Sequence, residues 1–352
     1  MSNVVGLDIG QNGIKAVSVD KDAAGKLSLS LIGEVKSPQV EDSSGGLGDR
    51  YFSDLSQSLK TLISDLKIKG KQVVVNLPEN EVVSRLVRLP PLKDSEIMDA
   101  LRFEAETFVP YPLDKVSIDY EIVEKDDAGR ITVFVIAAKN DLINEYVKIF
   151  KSLGMELIAI ESSSVAYRRM IRSGITSVER VVVLDIGEKY SDILNINKGN
   201  VYFSRSLPVG GESITRAVSL GLGLDMPSAE EYKKAYGIKA EELEGKIRTV
   251  SLPVFNSIAD EVRKAMTLFS EDTGKTVELL ILSGGGAVLP GMAEELTKIL
   301  GVEVQIAQPF MHIDTSRIKA PYNLVTEGSR FSLAVGNPAS PPDGQDAACG
   351  FS

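Results

Sequence analysis

The sequence predicts an α/β protein built from two related lobes that face each other across a cleft. Three observations carry this expectation. The segment Val4-Val5-Gly6-Leu7-Asp8-Ile9-Gly10 recurs 177 residues later as Val181-Val182-Val183-Leu184-Asp185-Ile186-Gly187, identical at six of seven positions. Each copy is an apolar strand that ends in Asp-Ile-Gly, turns within about three residues and resumes as an alternating strand, the pattern of a β-hairpin. The 352-residue length leaves room for about two domains at ~150 residues each, and a repeat this widely spaced is too long for a solenoid unit.

Composition narrows the chemistry. Lys and Arg number 39 against 49 Asp and Glu, a net charge of -10, with 43% hydrophobic and 25% charged residues, which is ordinary globular composition. One histidine, His312, and one cysteine, Cys349, exclude a disulfide framework, a Cys/His zinc site and a Cys–His nucleophile pair. The longest uninterrupted apolar run, 133–138, falls far short of the ~20 residues of a membrane helix. Net acidity without a long basic stretch argues against nucleic acid as a partner. The opening Met-Ser-Asn-Val-Val-Gly has neither the basic region nor the cleavage site of a secretory signal, so a cytoplasmic location is expected. Any chemistry rests on carboxylates, lysines, hydroxyls and backbone amides.

Taken in chain order, the first Asp-Ile-Gly turn has two readings. Asp and Gly suit a hairpin turn on backbone grounds alone. Duplicated on two buried-type strands, the turns read instead as a pair of anion nests, each with an Asp able to hold a water-coordinated Mg²⁺. Residues 41–50, rich in Ser, Gly and acids, read as a mobile loop. An inserted subdomain follows: Arg88-Leu89-Pro90-Pro91-Leu92, a helix over 94–108, Val109-Pro110-Tyr111-Pro112-Leu113, strands over 117–123 and 132–138, and a helix over 141–153. A short apolar strand, 157–160, then leads through Glu161 into a helix over 162–172.

After the second hairpin, 228–273 reads as helical, including an amphipathic helix over 254–269. A strand over 278–283 runs into Gly284-Gly285-Gly286 and then a helix over 291–300. Glycines between strand and helix let backbone approach a ligand, and the helix N-terminus favours anions. The run is not a dinucleotide fingerprint, because Leu289 takes the last glycine position. Gly274-Lys275-Thr276 mimics the end of a P-loop, but Phe269 stands where the first glycine belongs.

An Asp-x-Gly turn opening each lobe and a Ser-Gly-Gly-Gly turn near the end resemble the phosphate and adenosine motifs of the actin-like ATPase superfamily, with its duplicated ribonuclease-H-like lobes. Leu207-Pro208-Val209-Gly210-Gly211-Glu212-Ser213-Ile214-Thr215 is similar to the Gly-Gly signature of the bacterial FtsA/PilM branch. Ala229-Glu230-Glu231-Tyr232-Lys233, with Gly237 four residues on, resembles that branch's helix beside the ribose and base. Glu104-Ala105-Glu106-Thr107-Phe108-Val109-Pro110-Tyr111-Pro112 strongly resembles the PilM family of type IV pilus assembly proteins. The likeness covers roughly 3–336.

That resemblance implies a bilobal actin-like ATPase. Residues 1–83, 159–180 and about 315–336 would form the first lobe, 84–158 the inserted peptide-binding subdomain, and 181–314 the second lobe, with 228–273 its helical subdomain. Residues 337–352 would be a disordered tail. It implies ATP and Mg²⁺ as cofactors, with Asp8 and Asp185 on the metal through water. Gly10, Gln11, Asn12 and Gly13 would cradle the β- and γ-phosphates beside Lys15, and Gly187 and Ser191 would form the second phosphate turn. Gly210, Gly211, Glu230, Lys233, Gly284, Gly285 and Gly286 would hold ribose and adenine. Without the surrounding motif, Lys15 reads equally as a solvated hairpin lysine, and Glu230 and Lys233 as a solvated i,i+3 pair. Glu161 is the candidate for orienting the attacking water; the competing reading is an ordinary acidic residue at a helix start.

The implied role is a cytoplasmic ATP-binding scaffold of the pilus inner-membrane platform. It would dock the N-terminal cytoplasmic peptide of PilN, and meet other platform components and motor ATPases indirectly. The resemblance is compatible with a homodimer or larger oligomer. Two alternatives stay open: an FtsA-like filament-forming membrane tether, and a small-molecule kinase of the same superfold. The tail Asn337-Pro338-Ala339-Ser340-Pro341-Pro342-Asp343-Gly344-Gln345-Asp346 cannot form the amphipathic helix a tether needs, so no direct membrane insertion is expected. One departure stands out. The second turn continues Glu188-Lys189-Tyr190 where the family has small or hydroxyl residues, and a carboxylate there repels a γ-phosphate. Nucleotide binding with at most weak hydrolysis is the expectation.

Overall fold

The structure, a computed structural model, describes residues 4–39, 47–68, 72–239, 241–336 and 350–351. Most of the expected 41–50 loop and of the expected disordered tail therefore lies outside the described residues.

Two sheets carry the repeat. In the first, β1 (Val4–Ile9), β2 (Gly13–Lys21) and β3 (Leu27–Lys36) form an antiparallel meander, and β4 (Gln72–Leu77) pairs parallel to β1. Between them α1 (Asp49–Asp65) buries Phe52, Leu55, Leu59 and Leu62, the spacing of one helix face. Every residue of β1 is buried, as expected of a central strand covered on both faces.

The insert is a three-stranded antiparallel sheet of β5 (Val82–Leu89), β6 (Val116–Lys125) and β7 (Ile131–Lys139), ordered β5-β7-β6, with α2 (Asp94–Ala105) against it. Helix α2 stops three residues short of the expected Phe108. Phe108 and Val109 bond back to the Ala105 carbonyl, and Val109 precedes Pro110, whose ring disfavours helical backbone before it.

The next helix, α3 (Asn140–Ser152), buries Leu142, Tyr146, Ile149 and Phe150 in the same core as the α1 residues. That core also takes in Val123, Phe134, Ile136 and Ala138 of the insert, so α3 packs where the first lobe and the insert meet. Strand β8 (Glu156–Ser162) adds parallel to β4, and α4 (Ser163–Met170) follows directly.

The second lobe repeats the plan. Strands β9 (Arg180–Ile186), β10 (Ser191–Asn197) and β11 (Asn200–Leu207) form the meander. Helices α5 (Gly211–Leu222), α6 (Met226–Tyr236) and α7 (Lys246–Thr273) come next. Strand β12 (Leu279–Ser283), helix α8 (Met292–Leu300) and strand β13 (Glu303–Ile306) complete the sheet, with β12 and β13 parallel to β9. The order β11-β10-β9-β12-β13 matches β3-β2-β1-β4-β8 strand for strand, so duplication extends from seven residues to whole lobes. Helix α7 starts two turns earlier than expected and tolerates Pro253 in its interior, at the loss of one backbone bond.

Strand β14 (Ile313–Asp314) crosses back to pair with β3, and α9 (Ser332–Gly336) packs beside α4. Tyr167 and Met170 of α4 pack on the β9, β10 and β12 side chains Val183, Leu194 and Ile281, while Ala334 and Val335 of α9 pack on Val17 and Leu29. These two helices form the layer between the sheets. The cleft lies over the C-terminal ends of β1 and β9. A last strand, β15 (Gly350–Phe351), pairs antiparallel with β8.

Candidate functional site

Strand pairing builds the first turn. Asp8 and Lys15 are cross-strand partners on β1 and β2, and Lys15 Nζ lies 3.1 Å from Asp8 Oδ2. Burial pulls the Lys15 ammonium down, but the charges of Asp8, Glu34 and Asp185 outweigh it, so its pKa is raised and it stays charged. Lys15 is thus no solvated hairpin lysine. The Ser37 hydroxyl donates to the Gly10 carbonyl and the Ser37 amide to the Asn12 carbonyl, which pins Gly10, Asn12 and Gly13 in one turn. Gln11 reaches across the cleft: its Oε1 accepts from the Lys189 amide at 3.2 Å. Each Asp-Ile-Gly turn therefore touches the other.

In the second turn the Gly187 amide donates to the Tyr190 carbonyl at 2.9 Å. The Tyr167 hydroxyl, from α4, donates to Asp185 Oδ2 at 2.6 Å and lies 2.9 Å from Ser283 Oγ. Burial pushes the Asp185 carboxyl up to about 6; the Asp8 charge adds to the rise, and the Tyr167 bond and Lys15 oppose it. Gly284 follows β12 with φ +78, and a Cβ there would come within 2.0 Å of Asp185 Oδ1. Only glycine lets this backbone lie against the carboxylate. Gly286 packs equally closely on Ile186, whereas Gly285 faces open space. The glycine run sits beside the second Asp.

The first turn of α5 closes onto the same place. The Gly211 and Glu212 amides donate to the Gly187 and Glu188 carbonyls at 2.9 and 2.7 Å, and a Cβ on Gly210 would clash with the Glu188 carbonyl at 2.6 Å. The Ser191 hydroxyl donates to the Val209 carbonyl at 2.7 Å; it anchors this junction. Lys233 is buried, with Nζ 3.1 Å from the Gly211 carbonyl, 2.8 Å from Thr215 Oγ1 and 2.6 Å from Glu230 Oε2. Burial raises Glu230, yet the Lys233 and Thr215 bonds prevail and hold its carboxyl below the ordinary value. This pair is structural to the α5 N-terminus, unlike a solvated i,i+3 pair. Half-buried Glu188 has its carboxyl raised, by burial first, and its Oε2 is without a partner.

Several polar groups on the cleft floor escaped the sequence reading. Asn76, level with Asp8 on β4, is buried with neither side-chain polar atom bonded. Glu79 accepts from the Ser204 hydroxyl of the second lobe, and burial raises its carboxyl. Asp192 is raised well above the ordinary range by burial and then by the charges of Glu79 and Asp185. A polar residue closing an apolar run, as in Val73-Val74-Val75-Asn76, was the available signal. Glu161, the candidate water-orienting residue, is held by Arg169 in a two-point ion pair of 2.7 and 3.0 Å, and Arg169 also donates to the Gly336 carbonyl at 2.7 Å.

A family model described as Type IV pilus assembly protein PilM matches residues 6–338. The chain belongs to the PilM family. It superposes on the structure of a PilM-PilN type IV pilus biogenesis complex with a TM-score of 0.83 at 23% identity, covering 96% of this chain and 99% of that one. MreB5 of Spiroplasma citri bound to AMPPNP superposes at 0.52 and 16% identity, covering 95% and 94%. The cell division protein FtsA of Streptococcus pneumoniae serotype 2 is 25% identical over 86% of this chain and 75% of its own. The fold is that of the actin-like ATPases, with the insert over β5 to β7 carried by this PilM-family chain in its first lobe. Among the described residues no helix is long and apolar enough to cross a membrane.

Proposed function

We propose that this PilM-family protein is a nucleotide-gated scaffold of the type IV pilus inner-membrane platform, cytoplasmic and held at the membrane through partners. The observation that carries the reading is the contact between the two Asp-Ile-Gly turns, Gln11 on Lys189, with Asp8, Lys15 and Asp185 gathered beneath it. A ligand bearing several phosphates is what two facing anion nests accept. The residues fit a magnesium nucleotide. Asn76 offers two unbonded polar atoms beside Asp8, and Gly10 and Gly284 leave backbone bare around both carboxylates. Among the described residues no cluster of three or more metal-ligating side chains occurs, so Mg²⁺ would take Asp8 and Asp185 through water and complete its shell with phosphate oxygens.

This reading assigns Gly10, Gln11, Asn12, Gly13 and Lys15 to the phosphates, and Gly187 to the second phosphate turn. Gly210, Gly211, Glu230, Lys233 and Gly284 to Gly286 form the wall for ribose and base. The ion would supply charge neutralisation between phosphates and aspartates. Glu161 is tied to Arg169 and Glu188 adds a carboxylate at the second turn, which supports slow hydrolysis at most.

Binding at the turns biases how the lobes close. The insert is coupled to this movement because Arg168 of α4 pairs with Glu121 of β6. Between the insert and its lobe run the edge strand β6 and the strand β8, whose outer side carries only the two-residue β15, and an extended peptide adds to such an edge through its own backbone. The N-terminal cytoplasmic peptide of PilN is the proposed occupant. Titrating that peptide with and without Mg-ATP tests the reading: no affinity in either state would sink it.

A further inference from the structure

The β8 edge already has a strand on it. Gly350 pairs with Glu161 and Phe351 with Ile160, antiparallel, and the added strand also lies against β6 of the insert. It is the seventh and outermost strand of the first-lobe sheet on the side facing the insert. Without it β8 would present an open row of amides and carbonyls, the template that extended segments bind.

The place where the chain departs explains how so short a strand finds that edge. Gly336 ends α9 against α4, close enough that a Cβ on it would meet the Ala166 carbonyl at 2.5 Å. Its own carbonyl accepts from Arg169, and the same guanidinium grips Glu161, the residue that Gly350 pairs with. The tether thus starts beside its own docking strand. Ring closure over a chain this short costs little entropy, and a tethered segment acts at an effective concentration on the order of millimolar.

We infer that residues 350–351 are an intramolecular occupant of the β8 edge, which an incoming extended peptide must displace. The competition rests on the PilN reading above; the strand itself does not. Two residues of pairing make a weak plug, suited to displacement. An edge covered roughly nine-tenths of the time weakens a competitor about tenfold.

Three forms of the protein decide it: the full chain, a chain ending at Gly336, and the full chain carrying Gly350→Pro and Phe351→Pro, which removes two amides from the added strand. Hydrogen exchange at Ile160 and Glu161 is read without peptide, and affinity is read with a labelled PilN N-terminal peptide. The expected result, in the shortened and double-proline forms, is faster exchange at the one of these two amides that points at the added strand, while its neighbour, which points at β4, stays protected, with peptide affinity rising about three- to tenfold. A synthetic peptide of residues 347–352, added at millimolar concentration to the shortened chain, restores the protection. Equal exchange in all three forms overturns the inference, as does equal affinity among forms that do bind the peptide. Faster exchange with no peptide affinity in any form upholds the strand and sinks the PilN reading instead.

Discussion

The Tyr167 hydroxyl donates to Asp185 Oδ2 at 2.6 Å, which ties a helix of the first lobe to the aspartate of the second turn. Tyr167 is almost wholly buried. Removing its hydroxyl strands a carboxylate oxygen in the interior, at about 1–3 kcal/mol. Tyr167→Phe is therefore expected to destabilise the protein by that amount in urea unfolding, and to drive the Asp185 carboxyl above its value of about 6, read by NMR titration.

The same carboxyl sets a pH dependence whose sign follows from its direction. Asp185 ordinarily titrates at 3.8 and here at about 6. Between those values the folded state holds a proton that the unfolded chain has lost. Stability from this group is present in acid and lost as pH rises through that window. Asp185→Asn is expected to stabilise the protein at pH 7.5 by about 3 kcal/mol, at ~1.4 kcal/mol per pH unit, with the gain gone below about pH 4. Paired unfolding curves at the two pH values check this. Magnesium-dependent nucleotide affinity falls in the same variant.

Gly284 admits no side chain. Its φ of +78 and the 2.0 Å approach of a Cβ to Asp185 Oδ1 combine backbone strain, about 1–3 kcal/mol, with a clash at the site. Gly284→Ala is expected to lose at least that stability and to weaken nucleotide binding more than Gly285→Ala, whose Cβ meets nothing within 4 Å.

Glu188 brings a carboxylate to the turn proposed to hold phosphate, with Oε2 unbonded. At ~10 Å and an effective dielectric of ~20, one such charge opposes another by about 1–2 kcal/mol. Glu188→Gln is expected to tighten ATP roughly five- to thirtyfold, with a smaller gain for ADP. Calorimetric titration separates the two.

What the sequence made legible was what it repeats. Asp8 and Asp185 stood out because each ends the same apolar run, and the glycines of 284–286 because three in a row between strand and helix are conspicuous. The reason for Gly284, its contact with Asp185, exists only once β12 lies beside β9. Asn76, Tyr167 and Asp192 were illegible for the same cause. Each sits in an unremarkable local pattern and gains its meaning from a strand or helix far away in the chain. Helix α3 shows the limit for packing: its apolar face was plain, but periodicity does not say which core that face joins. Glu161 shows it for chemistry, since its placement before a helix gave no sign of Arg169 eight residues on.

The central claim is that nucleotide at the two turns and peptide at the insert are coupled. The most direct measurement is the affinity of the PilN N-terminal peptide for the protein with and without saturating Mg-ATP, repeated on Asp8→Ala. The account predicts at least a fivefold difference between the two states, about 1 kcal/mol of coupling, and its disappearance in the variant. Equal peptide affinity with and without Mg-ATP, at ATP concentrations shown to saturate the site, would contradict it.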